Sequence, residues 1–223
     1  MPCNLKLLSL LAVAALAVSA VATSGASAAS TFTSDIEETE LTATPFVPLK
    51  HTHHVFDWAG FFTTCNAIGI DATLIGSESA SITIRPTYSG CFFLGQTATI
   101  ERNSCDYVLT ADGTLHIGTD TGAGTGKTCA EDPMTFAVHA PPCTIQIGPQ
   151  SISNAASYKT ISPSGSITEL SVEMHAKGFH YNAVGPGCTV TGTYADGNYT
   201  TGSTIITGEE PGTNKMVNLA WDA

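Results

Sequence analysis

Charge is scarce in this chain. Only 12% of its 223 residues are charged, and 8 Lys and Arg face 19 Asp and Glu, a formal net charge of −11. No basic field is present to gather nucleic-acid backbones or anionic lipid headgroups, so nucleic-acid binding is excluded. So little charge is equally wrong for a coiled coil or an unfolded chain, both of which depend on charged positions. An apolar period of 3.6 residues is missing as well, which excludes an architecture of amphipathic helices. After residue 28 no apolar run is long enough to cross a bilayer as a helix. G-x-S-x-G, H-E-x-x-H and C-x-x-C are all missing, and with them the motif-bearing serine hydrolases, zincins and tightly spaced zinc sites. What the chain does have is 43% hydrophobic residues, 21 Gly and 11 Pro, the composition of a folded, turn-rich, acidic globule.

The N-terminus reads as an export signal. Lys6 precedes an apolar run from Leu7 to Ala22, interrupted only by Ser9 and Ser19, and Ala26-Ser27-Ala28 gives the small-x-small pattern of a cleavage site. Cleavage is expected after Ala28, with residues 1–28 as signal peptide and a secreted, extracellular product. Cys3 lies before the apolar run, where a lipoprotein signal would need it after.

Six cysteines follow: Cys65, Cys91, Cys105, Cys129, Cys143 and Cys188. An even number in an exported chain predicts disulfides. Cys91 and Cys105 are 14 residues apart, as are Cys129 and Cys143, and 38 residues separate the two pairs. The spacing predicts an internal repeat over 91–128 and 129–166, each copy a strand, a turn and a second strand starting at a cysteine. The pairing it suggests, one of fifteen arrangements, is Cys91 with Cys105, Cys129 with Cys143, and Cys65 with Cys188. In an ordinary hairpin, however, Cys91 would lie some 15–20 Å from Cys105, so this pairing needs a chain that folds back or strands in different sheets.

Apolar residues alternate with polar ones in about a dozen short segments between Leu41 and Ile206. Asp112-Gly113 and Asp196-Gly197 supply hairpin-turn chemistry, because the second turn position takes positive φ. The expected fold is all-β: a disulfide-stabilised antiparallel β-sandwich or barrel in a single domain over 41–208. A flexible acidic leader is expected over 29–40 and a Gly-rich tail over 209–223.

Several motifs carry alternative chemistry. Thr121 to Thr128 resembles a phosphate loop, but Thr121 stands where the first glycine is required and Pro133 follows too soon for a helix; it reads as a glycine loop. His51 and His53 share one side of an extended segment and need further ligands, from Glu173 and His175 or from His180, to hold zinc or copper; ordinary solvated histidines are the simpler reading. Asp57, Glu101, Glu173 and Asp196 are the acids available for a glycosidase pair. Trp58, Tyr88, Tyr181, Tyr194, Tyr199 and Trp221 are candidates for stacking on sugar, most of them expected in the core, and Asn198-Tyr199-Thr200 is a glycosylation sequon.

At Pro86-Thr87-Tyr88-Ser89-Gly90-Cys91, at Cys105-Asp106-Tyr107-Val108-Leu109 and at Gly192-Thr193-Tyr194 the chain resembles a group of uncharacterised secreted β-rich proteins of actinobacteria. The likeness covers roughly residues 55–205. It implies export from a Gram-positive cell and assigns no catalytic or binding residue. Together these features predict a non-enzymatic binding or envelope-structural domain without cofactor, its partner a glycan or envelope component. The alternatives are a secreted hydrolase and a metal-binding module.

Overall fold

Burial alternates residue by residue along most strands: His54, Phe56 and Trp58 are buried while Val55 and Asp57 are only half covered. Side chains of successive strand residues point to opposite faces, so this pattern puts one face of each strand on a core. The computed structural model describes residues 29–45, 54–119, 126–139, 141–162, 165 and 167–223. Among them are eighteen strands, numbered in chain order, and no helix. The signal segment, His51, His53 and most of the glycine loop lie outside the described residues.

Eight antiparallel strands close a barrel. They are β3 (His54–Trp58), β4 (Phe61–Ile75), β6 (Ser81–Phe93), β7 (Gln96–Glu101), β10 (Met134–His139), β11 (Pro142–Ile147), β14 (Glu169–Val184) and β15 (Gly192–Thr200). Each pairs with the next in the order β3-β4-β6-β7-β10-β11-β14-β15, and β15 returns to β3 through Tyr199↔Phe56. The lumen is filled by rings: Phe56 stacks on Tyr199 at 4.2 Å and meets Phe136 edge-on at 4.6 Å, while Trp58 packs against Phe136 and Tyr181. The space left beside Phe93, Phe136 and Ile145 is about 10 Å³, no more than about one water molecule needs. This part of the barrel is a packed core and leaves no room for a ligand.

The three longest strands continue past the barrel into an open, curved sheet. It runs β12 (Gln150–Ile152), β9 (Leu115–Thr119), β8 (Cys105–Thr110), then the far halves of β6 and β4, then β2 (Glu38–Pro45), β16 (Thr204–Glu210), the far half of β14 and β13 (Ala156–Ile161). β17 (Lys215–Val217) forms a hairpin with β16. A small sheet of β18 (Leu219–Asp222), β1 (Thr31–Ser34) and β5 (Glu78–Ser79) covers its end, with fully buried Phe32 meeting Tyr158 edge-on and the Trp221 indole donating to the Ala111 carbonyl at 2.9 Å.

The all-β, antiparallel, disulfide-linked class matches expectation, but five particulars differ. First, the leader and the tail are ordered: β1 pairs with β18 from Thr31↔Asp222 to Ser34↔Leu219, because Phe32 and Leu219 supply an apolar face that the polar composition conceals.

Second, β4, β6 and β14 are longer than the segments read from the alternation. Gly69, Gly90 and Gly178 interrupt the pattern without ending the strand, and at Gly178 the register shifts between Lys177 and Phe179, as in a β-bulge.

Third, the repeat does not hold. β10 and β11 form the expected hairpin, whereas β7 and β8 do not pair with each other. Asn103 at φ 52° turns the chain so that β7 lies on β10 while β8 lies on the other half of β6.

Fourth, the disulfides are Cys65–Cys91, Cys105–Cys129 and Cys143–Cys188; none of the expected pairs Cys91–Cys105, Cys129–Cys143 and Cys65–Cys188 forms. Cys65 sits directly opposite Cys91 in the β4–β6 ladder, which places the two sulfurs within bonding reach.

Fifth, Asp196-Gly197 is inside β15 and makes no turn. Gly197 is there for packing, since a Cβ would lie 3.0 Å from Phe179 Cβ and 3.1 Å from both Trp58 and Tyr181. Gly197→Ala is therefore expected to cost about 1–3 kcal/mol by overpacking, lowering the midpoint of a thermal melt by roughly 2–10 °C. A wild-type melting temperature for G197A would contradict this packing. Asp112-Gly113 does turn between β8 and β9, as expected, with Gly113 at φ 86°.

Candidate functional site

The polar groove with the richest chemistry lies on the outer face of β13, β14 and β16. Glu173 is opposite Ser157 and Ser171 is opposite Lys159 in the β13–β14 ladder, and paired residues share a face. Ser203, just before β16, completes the polar set, with Ile161 and Ile205 providing apolar surface. The groove encloses about 380 Å³, within the range of small-ligand sites.

Ser203 Oγ donates to Glu173 Oε1 at 2.6 Å, and His175 Nε2 stands 3.6 Å from Glu173 Oε2. The order is thus serine, carboxylate, imidazole. Acyl transfer by a serine normally needs the base beside the nucleophile and the carboxylate behind the base. Here the carboxylate is in the middle, and at 47% exposure it stays hydrated. What the groove offers is an acceptor carboxylate, three hydroxyls that both donate and accept, and an ammonium at one end.

The other acids are dispersed. Asp57 and Asp196 each act on Tyr181 in the barrel: burial pushes its phenol far above the usual range, and the two carboxylates add to the effect. Each already has a structural partner, Asp57 accepting from the Gly60 amide at 2.8 Å and Asp196 from the Tyr181 hydroxyl at 3.2 Å. Glu101 is exposed on β7, remote in the ladder from Glu173. His175 and His180 both lie on β14, but no group of three His, Cys, Asp or Glu residues is placed to hold a metal ion among the described residues. Of the phosphate-like loop, Gly126 to Thr128 are described; the chain turns directly after it, with the Thr128 amide and hydroxyl donating to Glu131.

Trp58, Tyr181 and Tyr199 are core residues, Tyr194 stacks on Tyr181, and Trp221 is half buried against Tyr158. Tyr199, His54 and Tyr88 form a hydrogen-bonded chain between the barrel and the open sheet, the Tyr199 oxygen 2.8 Å from His54 Nδ1 and accepting from Tyr88 at 3.3 Å. Asn198 of the sequon is in the middle of β15 and not on a hairpin tip. Among the described residues, the strongly exposed phenylalanines are Phe62 and Phe92.

Ser157, Ser171, Ser203 and Lys159 were not legible as site residues, since isolated serines on alternate strand positions carry no spacing signal. Glu173 and His175 were singled out, for metal ligation or hydrolysis, and do fall in or beside the groove. Compared with known family models, curated proteins and solved structures, the chain matches none.

Proposed function

We propose that this protein is a secreted, disulfide-fastened binding module that takes a polyhydroxylated ligand, a glycan of the envelope or its surroundings, in the β13–β14–β16 groove without transforming it. The observation that carries the reading is the lining of that groove. Three serines and a carboxylate match sugar hydroxyls, and Ile161 and Ile205 supply a small apolar surface beside them. Export is supported by the N-terminal apolar run and by the six paired cysteines, which suit an oxidising compartment.

A glycan array followed by calorimetry tests the reading. At least one oligosaccharide is expected to bind, and Glu173→Ala or Ser203→Ala should weaken it about tenfold or more, the loss of one or two hydrogen bonds to a charged or hydroxyl partner. No glycan bound, or binding unaffected in both variants, would refute it. The 2.6 Å Ser203–Glu173 contact favours hydrolysis as the second reading. Turnover of ester or glycoside substrates that disappears in S203A would establish that reading instead.

A further inference from the structure

The end of the barrel opposite the open sheet carries a feature that the fold itself does not use. Two hairpin turns lie side by side there, one joining β3 to β4 through Ala59-Gly60 and one joining β6 to β7 through Leu94-Gly95. Both central residues of each turn have positive φ, with Ala59 at 53° and Leu94 at 51°. This is the type I′ conformation, for which Asn and Gly are suited and a leucine is a poor choice.

Leu94 adopts it while remaining 54% exposed. Phe62 at 52% and Phe92 at 44% exposure flank it on the outer face. The ladder pairs Thr63 with Phe93 and Thr64 with Phe92, so one further step sets Phe62 across from Leu94. A Cβ added at Gly60 or Gly95 would meet no atom within 4 Å, so both tips project into open space. The Cys65–Cys91 bond joins the two hairpins a few residues below and fixes them relative to each other.

We propose that this pair of tips inserts shallowly into an uncharged lipid surface. Three half-exposed side chains of about 150–250 Å² each offer roughly 300 Å², far short of the ~800 Å² per partner that a stable protein interface buries. A convex wedge of that size suits a continuous apolar phase better than a second folded surface. Charge selects the lipid. Residues 58–70 and 86–100 contain no Lys, Arg, Asp or Glu, and the chain as a whole carries −11. Just before the first tip in sequence is the charged Asp57, opposite Phe62 and accepting from the Gly60 amide. Nothing here attracts anionic headgroups, so attachment is apolar and insensitive to salt. The contact leaves the β13–β14–β16 groove free, and is independent of what that groove binds.

Flotation of residues 29–223, which hold every described strand, with phosphatidylcholine vesicles tests the proposal. The protein is expected to float with the vesicles equally at low and high salt, with no gain from added phosphatidylserine. Leu94→Asn is the informative variant, because asparagine suits positive φ and the fold is retained. Combined with Phe62→Thr and Phe92→Thr, it should lower partitioning at least tenfold while circular dichroism stays unchanged, and Glu173→Ala should float like the wild type. Wild-type protein that stays in the aqueous phase, or a triple variant that floats as well as wild type, would overturn the proposal. So would a concentration-dependent dimer in sedimentation that the triple variant abolishes, which would make the tips a self-association surface.

Discussion

Raised above about pH 11, the protein is expected to unfold in the same step in which its tyrosines ionise. Burial pushes the phenols of Tyr107, Tyr158, Tyr181 and Tyr199 well above their usual value, and does the same to Tyr88, where the neighbouring Tyr107 and Tyr199 add to the effect. In the unfolded chain a phenol ionises near pH 10. Above that point the unfolded chain holds fewer protons than the folded one, so stability falls as pH rises. Each phenol kept protonated by the fold costs about 1.4 kcal/mol per pH unit, and five act together. A net stability of about 5–15 kcal/mol is then used up within roughly two units, while below about pH 9 these groups contribute no slope. Phenolate absorbance and circular dichroism recorded in one titration check this. Coincident, steep transitions are expected; phenolate that forms while the β-signal persists would mean that the rings are open to solvent.

Full reduction is expected to unfold the protein at 37 °C and neutral pH. The three bonds span 26, 24 and 45 residues and follow one another along the chain without overlapping. Each therefore restricts a separate stretch of the unfolded polypeptide, and their effects add. In the chain-entropy model the two shorter loops contribute about 3.5 kcal/mol each and the longest about 4, a total similar to the whole net stability of a domain. Replacing Cys143 and Cys188 together by serine should lower the melting midpoint by roughly 8–16 °C. Non-reducing peptide mapping reads the connectivity directly. Native melting behaviour after complete reduction would remove the disulfides from the account of stability.

The local rules of strand chemistry carried the reading of this chain a long way. Alternation identified the β class and most strand cores, the cysteine count implied oxidation, and Asp112-Gly113 marked a true hairpin. Non-local partners were hidden. The two 14-residue cysteine spacings record a similar strand-turn-strand pattern, yet β8 finds β6 and β9 while β11 finds β10 and β14. Asn103, whose positive φ separates β7 from β8, carries no signal in sequence of which strands the two then find. Asp196-Gly197 misled for another reason: a glycine needed to admit three rings looks in sequence like a glycine needed for a turn. The end strands escaped because Phe32 is a single apolar residue in a polar stretch and the apolar run around Leu219 and Trp221 is too short to show a period. The groove escaped because its serines come from three strands that meet only after folding.

The continuity of β4, β6 and β14 through both halves has a consequence for how this polypeptide can be divided. A truncation that kept only the barrel, or only the open sheet, would strip hydrogen-bonding partners from half the length of each of these strands and expose adhesive edges. Neither portion could be produced as a soluble fragment, and a shuffled gene could not borrow one without the other. Inheritance of the whole sequence, or of none of it, is built into those three strands.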